Sequence, residues 1–171
     1  MSTETDLEEV LEGLVGISHD VEMAFIVCAH ATRNPALGAV LSKHALVCGG
    51  AARSLSSMVC GLRHDGCRGR EYARKPDWLA LHDAMARRDD VALRDECIRT
   101  EDETLMRFRD ALDQHLSGGI QRVVHRYFAT LLECRGDLQS IETHRERRDW
   151  PDCYLLHHPP ATSHSNHGLG R

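Results

Sequence analysis

Aromatic side chains and lysine are scarce in this chain. Aromatic residues make up 5% of its 171 residues, and Lys43 and Lys75 are the only lysines. A sequence with so few aromatic and β-branched runs favours helices over strands. The net charge of -5 lacks the basic bias of a nucleic-acid binder, so we expect no nucleic-acid partner.

The sequence also lacks a basic, then apolar leader, because it begins with the acidic stretch MSTETDLEEV. We find no uninterrupted apolar run of the roughly 20 residues that cross a bilayer. A cytoplasmic protein without a membrane partner is therefore expected. Its seven cysteines are expected to be mostly reduced, rather than to form a disulfide framework.

Apolar residues recur at steps of three and four through four long segments, which predicts four amphipathic helices. They cover approximately residues 6–31, 35–62, 90–115 and 120–141. RNPAL supplies Asn34 as a cap and Pro35 in a first helical turn. Gly61–Pro76 is rich in Gly and Arg and predicts a loop, and a short helix follows from about Trp78.

This pattern predicts an all-α fold, a four-helix bundle over residues 6–145. The turns after the first and third long helices are short, so each pair forms an antiparallel hairpin. The long middle connection, with its short helix, is long enough to run the length of the bundle. Residues 146–171, rich in His, Pro and Ser, predict a flexible, disordered tail.

The stretch ECIRTEDETLMRF contains four carboxylates, and one of them lies on the apolar stripe. Glu101 falls between Ile98 and Leu105, whereas the others fall on the solvated side. A charge in a core is costly unless it is paired, hydrogen-bonded or bound to a metal. We therefore expect Glu101 to be more than half buried, with a cationic or imidazole partner.

Three further polar residues lie on or beside the apolar stripes of the other helices. They are Glu22, His44 and His125. Two carboxylates and two imidazoles from four helices make the composition of a carboxylate-bridged metal site, which would take iron or manganese. A Glu101 pair with a histidine or with Arg94 satisfies the same pattern without any metal.

Cys60, His64 and Cys67 place three zinc-type ligands in the predicted loop. The alternative is an arginine-rich loop with incidental thiols, because the spacing matches no established zinc pattern. Three other cysteines lie on apolar stripes and are interpreted as small core residues. They are Cys28, Cys48 and Cys134.

The segments LEGLVGISHDVEMAF, RNPAL, W-x-x-L, RDD and ECIRTEDETLMRFRDAL occur here in that order. Over residues 7–142 they resemble an uncharacterised bacterial family of ferritin-like four-helix-bundle proteins, a domain of unknown function. The resemblance implies a ferritin-like fold, parallel second and third long helices, and no established activity. Glu22 and Glu101 match recurrent acidic positions of the family. AARSL lacks a further family acid, and Arg135 replaces a family histidine.

The leading hypothesis is a non-catalytic ferritin-like bundle with a structural or stress-associated role and no cofactor. The first alternative is an iron or manganese oxidoreductase that uses Glu22, His44, Glu101 and His125. The second is a zinc-stapled interaction module. From helix levels we expect Glu22 near His44 and His125 apart from Glu101, so that any site is mononuclear and lacks ferroxidase activity. A homodimer through bundle faces is the expected partner.

Overall fold

The computed structural model describes residues 3–62 and 78–141. Within these ranges the chain is helical, without strands, which confirms the all-α class. The helices are α1 (Thr3–Ala31), α2 (Pro35–Leu62), α3 (Leu79–Arg87), α4 (Asp90–Leu112) and α5 (Gly118–Ser140). The expected loop beyond residue 62 and the expected flexible tail lie outside the described residues.

Local capping explains where α2 and α4 begin. Asn34 Oδ1 accepts hydrogen bonds from the backbone N–H groups of Ala36 and Leu37, at 3.0 and 3.2 Å. Asp89 caps α4 by accepting from Ala92 N at 3.1 Å. Each cap satisfies backbone donors that a first helical turn leaves without an acceptor.

The four long helices form a bundle, with α1 against α2 and α4, and α5 against the same two helices. The short helix α3 packs on α4 and α1. The bundle buries a continuous apolar core, which supplies most of the driving force for folding. Its largest fully buried apolar side chains are Phe25, Phe108, Leu11, Leu37, Leu41, Leu55, Leu93, Leu131 and Leu138.

Polar contacts at the helix ends show the directions of the helices. Asp90, the first residue of α4, accepts hydrogen bonds from Thr32 Oγ1 at 2.7 Å and Arg33 N at 3.2 Å, in the turn before α2. At the same end of the bundle, Arg94 donates to the carbonyl of Ile141, just after α5. Helices α2 and α4 therefore start at one end and run in the same direction, as expected for a long middle connection.

Helix α2 differs from the sequence-based expectation in its apolar length. By length and composition it could cross a membrane, whereas we expected no such segment. Ten of its residues are buried in the bundle, among them Leu37, Leu41, Leu55 and Val59. A buried helix of a soluble bundle passes the same length test, so this property alone does not assign a location.

Candidate functional site

The carboxyl group of Glu101 lies in the interior of the bundle. The residue has no exposed surface, which confirms the predicted burial. The prediction of a cationic or imidazole partner is wrong, because no group among the described residues hydrogen-bonds to either carboxylate oxygen. Burial, reinforced by the negative charge of Asp102, raises the pKa of Glu101 to about 8. The side chain is therefore mostly protonated at neutral pH.

His44 on α2 is the second polar group of this interior. It is also completely buried, and neither ring nitrogen has a hydrogen-bond partner within the described ranges. Burial lowers the pKa of His44 to about 4. The negative charge of Asp137 opposes this shift, and the Cys134 carbonyl, outside hydrogen-bond geometry, opposes it less. The ring of Phe25 packs at 5.9 Å between centroids. The imidazole is thus neutral and able to act as a donor ligand.

Two ion pairs on the outside of the bundle indicate where these groups lie along the helices. Lys43 Nζ lies 2.7 Å from Asp137 Oδ2, and Arg135 Nη2 lies 3.2 Å from Asp102 Oδ2. His44 follows Lys43, Glu101 precedes Asp102, and Cys134 directly precedes Arg135 on α5. Arg135 and Asp137 are two residues apart on α5, so the three interior residues lie within about one helical turn of one another along the bundle. We call His44, Glu101 and Cys134 the polar layer.

Cys48 is a further buried thiol beside the polar layer, which already contains Cys134. Burial, and then the charge of Glu101, raise the pKa of Cys48 well above its ordinary value and that of Cys134 to about 11. Cys97, one turn before Glu101, is also buried and was not identified from the sequence. The predicted stripe of α4 was centred on Ile98, which is only partly buried. The four-residue spacing of Leu93, Cys97 and Glu101 is the sequence signal that marks the buried face of α4.

Glu22 lies at the rim of α1 rather than inside the bundle. Its side chain is 22% exposed and its Oε1 atom lies 3.7 Å from Arg53 Nη1. The carboxylate occupies the space above Gly49, where a Cβ atom would be 2.0 Å from Oε1. It lines an open groove of about 250 Å³ together with Ile26, His30 and Leu46.

The other sequence candidates do not join the polar layer. His125, expected beside the apolar stripe of α5, is exposed, so it is not a ligand in the interior. Arg94, considered as a partner of Glu101, instead donates to the Ile141 carbonyl and to Asp95. Cys60 is disulfide-bonded, which removes a free thiolate from the loop zinc hypothesis. His64 and Cys67 lie outside the described residues.

A di-metal centre does not fit this arrangement. Such a centre needs carboxylates and imidazoles that converge on two ions roughly 3.5–4 Å apart. Of the four candidates, His44 and Glu101 lie in the polar layer, Glu22 lies at the rim and His125 is exposed. Within residues 3–62 and 78–141, no three His, Cys, Asp or Glu side chains are already arranged around one ion position.

Comparison with known proteins adds no assignment. No protein-family model matches the chain, and no curated protein matches it. The interpretation of the site therefore rests on its own geometry.

Glu101→Gln should change how stability depends on pH in protein freed of metal with EDTA. The pKa of Glu101 is raised from 4.5 to about 8 on folding, so wild type loses stability as pH rises between these values. Glutamine cannot ionise. The free energy of unfolding of Glu101→Gln, relative to that of wild type, should therefore increase by on the order of 4 kcal/mol from pH 4.5 to 9. Urea unfolding at several pH values measures this difference.

The matched control for this measurement is Glu103→Gln, at an exposed position of the same helix. Its difference from wild type should stay within about 0.5 kcal/mol at every pH, as is usual for surface substitutions. A Glu101→Gln difference that does not change with pH would mean that Glu101 ionises as easily in the folded protein as in the unfolded chain.

Gly49→Ala tests the position of Glu22. Alanine favours a helix by about 0.5–1 kcal/mol over glycine, so Gly50→Ala, whose Cβ would lie 3.6 Å from Tyr127 Oη, should stabilise the protein. Gly49→Ala must displace the Glu22 carboxylate and should lose this gain. In a Glu22→Ala background both substitutions should stabilise equally. Denaturant midpoints of the four variants measure the coupling, and equal effects of Gly49→Ala in both backgrounds would contradict the contact.

Proposed function

We propose that this chain is a ferritin-like four-helix-bundle protein that binds one divalent transition-metal ion in its polar layer and does not catalyse iron oxidation. The parallel direction of α2 and α4 supports the ferritin-like assignment, since two hairpins joined by a long crossover produce it. A structural or stress-associated role, in the cytoplasm, remains part of this proposal. A homodimer through bundle faces is a separate proposal.

One observation carries the metal proposal: Glu101 and His44 are both completely buried, and neither has a hydrogen-bond partner among the described residues. Buried polar atoms without partners are rare, and each such group costs about 1–3 kcal/mol. An ion between the carboxylate and the imidazole would satisfy both groups at once. Water would complete its coordination shell.

The donor set indicates the class of metal. A carboxylate and a neutral imidazole suit Mn²⁺, Fe²⁺ or Zn²⁺. The neighbouring Cys48 and Cys134 have raised pKa values and keep their protons at neutral pH, so we do not assign them as ligands. With two protein donors, the site would be weaker than a closed site with four ligands.

Binding should release the proton of Glu101, whose pKa is about 8. Affinity should therefore rise about tenfold per pH unit between pH 6 and 8 and level off above pH 8. Glu101→Gln and His44→Gln should each remove the binding. Titration of metal-free protein with Mn²⁺ and Zn²⁺ by calorimetry at pH 6, 7 and 8 tests this expectation.

His125→Gln is the control, because it removes an exposed imidazole from α5 and should leave the core ion in place. Histidines outside the bundle are common to wild type and variants, so the difference in stoichiometry isolates the polar layer. Equal stoichiometry in wild type and Glu101→Gln would contradict the proposal. In stopped-flow mixing with Fe²⁺ and oxygen, rapid oxidation that disappears in Glu101→Ala would support the oxidoreductase alternative instead.

A further inference from the structure

Exposed apolar side chains are concentrated on the outer face of the α1–α2 hairpin. Of the large apolar residues that are well exposed in the described ranges, three lie close together on α1 and a fourth lies nearby on α2. They are Met23, Ile26, Val27 and Leu46, and 73% of the Leu46 surface is open to solvent. A single exposed apolar residue is ordinary, whereas a contiguous group indicates an interaction surface.

This apolar group surrounds the open groove that Glu22 lines. The α1 wall of the groove extends from Glu22 to His30, with Ile26 midway between them, and Leu46 belongs to the opposite wall on α2. Eight residues of helix span about 12 Å, so the two polar ends lie on either side of an apolar centre. The groove therefore has a carboxylate at one end and an imidazole at the other, equally far from Ile26.

We propose that the α1–α2 groove is the face through which two copies of this chain associate, about a two-fold axis that crosses the helices at the level of Ile26. This inference rests on the homodimer proposal above, to which it assigns a face, and it is independent of metal binding. The rotation places α1 antiparallel to α1 of the second copy. It also brings the apolar centres of the two grooves together.

The polar ends of the groove favour a second copy as its occupant. In a two-fold interface both copies use the same surface, so every contact between two different residues occurs twice. With the axis at Ile26, Glu22 of each copy faces His30 of the other, because each lies four residues from Ile26. An imidazole donates a hydrogen bond to a carboxylate, and its protonated form carries the opposite charge. The groove is therefore complementary to itself at its centre and at both ends.

The Glu22 carboxylate is available for this contact. Its side chain is partly exposed, and the distance of 3.7 Å to Arg53 Nη1 is too long for a hydrogen bond. The carboxylate lies against α2 in the space left by the missing side chain of Gly49. It is therefore held in the wall of the groove before a second copy binds, which lowers the entropy cost of the contact.

The size of the apolar group predicts weak, reversible association. From Met23 to His30 the group is roughly 10 Å long, and two helices side by side are roughly 20 Å wide. The resulting area of roughly 200 Å² is well below the 800 Å² or so that each partner buries in a stable interface, so polar surface around it must supply the rest. We therefore expect a dissociation constant in the micromolar range or weaker.

Charge substitutions at His30 test the orientation of the two copies. His30→Lys should tighten the association and His30→Glu should weaken it, each by several-fold, because each new charge faces Glu22 of the other copy twice. His125→Lys and His125→Glu repeat the same changes of net charge at an exposed position of α5. Effects at His30 no larger than those at His125 would overturn the antiparallel arrangement.

Sedimentation velocity of the full chain in EDTA, over a range of concentrations, tests the face itself. We expect a reversible equilibrium between monomer and dimer. Leu46→Glu places two carboxylates in the apolar centre and should weaken the association roughly a hundredfold or more. Leu132→Glu makes the same change at an exposed apolar position of α5 and should leave the dissociation constant nearly unchanged. Circular dichroism checks that each variant is folded.

The outcomes separate this inference from the homodimer proposal. A dimer that Leu46→Glu leaves intact would overturn the choice of this face, while association through another bundle face would stand. A chain that stays monomeric at every concentration would overturn both, and the groove would then belong to a different partner.

Discussion

The cost of burying the Glu101 carboxyl group is the constraint on which the interior of this bundle depends. A bare carboxylate in an apolar interior is strongly disfavoured, so it must take a proton, a partner or an ion. No described residue serves as its hydrogen-bond partner. Burial raises the pKa of Glu101 to about 8, so the group is mostly protonated at neutral pH. Protonation removes the charge but leaves the polar atoms without hydrogen-bond partners. A bound ion would offset the charge and satisfy the oxygen atoms together.

The residues around Glu101 fit this constraint. His44 stays neutral, because burial lowers its pKa to about 4, and the thiols of Cys48 and Cys134 stay protonated. The layer is therefore polar in composition but uncharged near neutral pH. Ser18 Oγ on α1 is likewise buried and without a partner within the described ranges. All four long helices thus contribute a polar group to the middle of the bundle.

Sequence periodicity predicts which residues of a helix share its buried face, and for this reason the all-α class, the helices and the burial of Glu101 and His44 were predictable. The same pattern leaves the centre of a face uncertain by about one residue. On α4 this uncertainty favoured Ile98 over Cys97, and on α5 it made the exposed His125, beside the apolar stripe, a candidate ligand.

Periodicity on one helix says nothing about the surface of its neighbour. Glu22 lies beside the apolar stripe of α1, but its carboxylate is placed by the absence of a side chain at Gly49 on α2. The missing partner of Glu101 was unpredictable for the same reason. Arg94 is within reach in sequence, but the free carbonyl at the end of α5 takes its guanidinium group.

The position of an ion relative to Glu101 and His44 is the most direct test of the polar layer as a metal site. Crystals of the full chain grown with Mn²⁺ would allow anomalous diffraction to locate the metal. We expect one peak in the bundle interior, within about 2.0–2.3 Å of a Glu101 oxygen and a His44 nitrogen. Water hydrogen-bonded to both side chains, with no anomalous peak between them, would contradict metal binding by this layer.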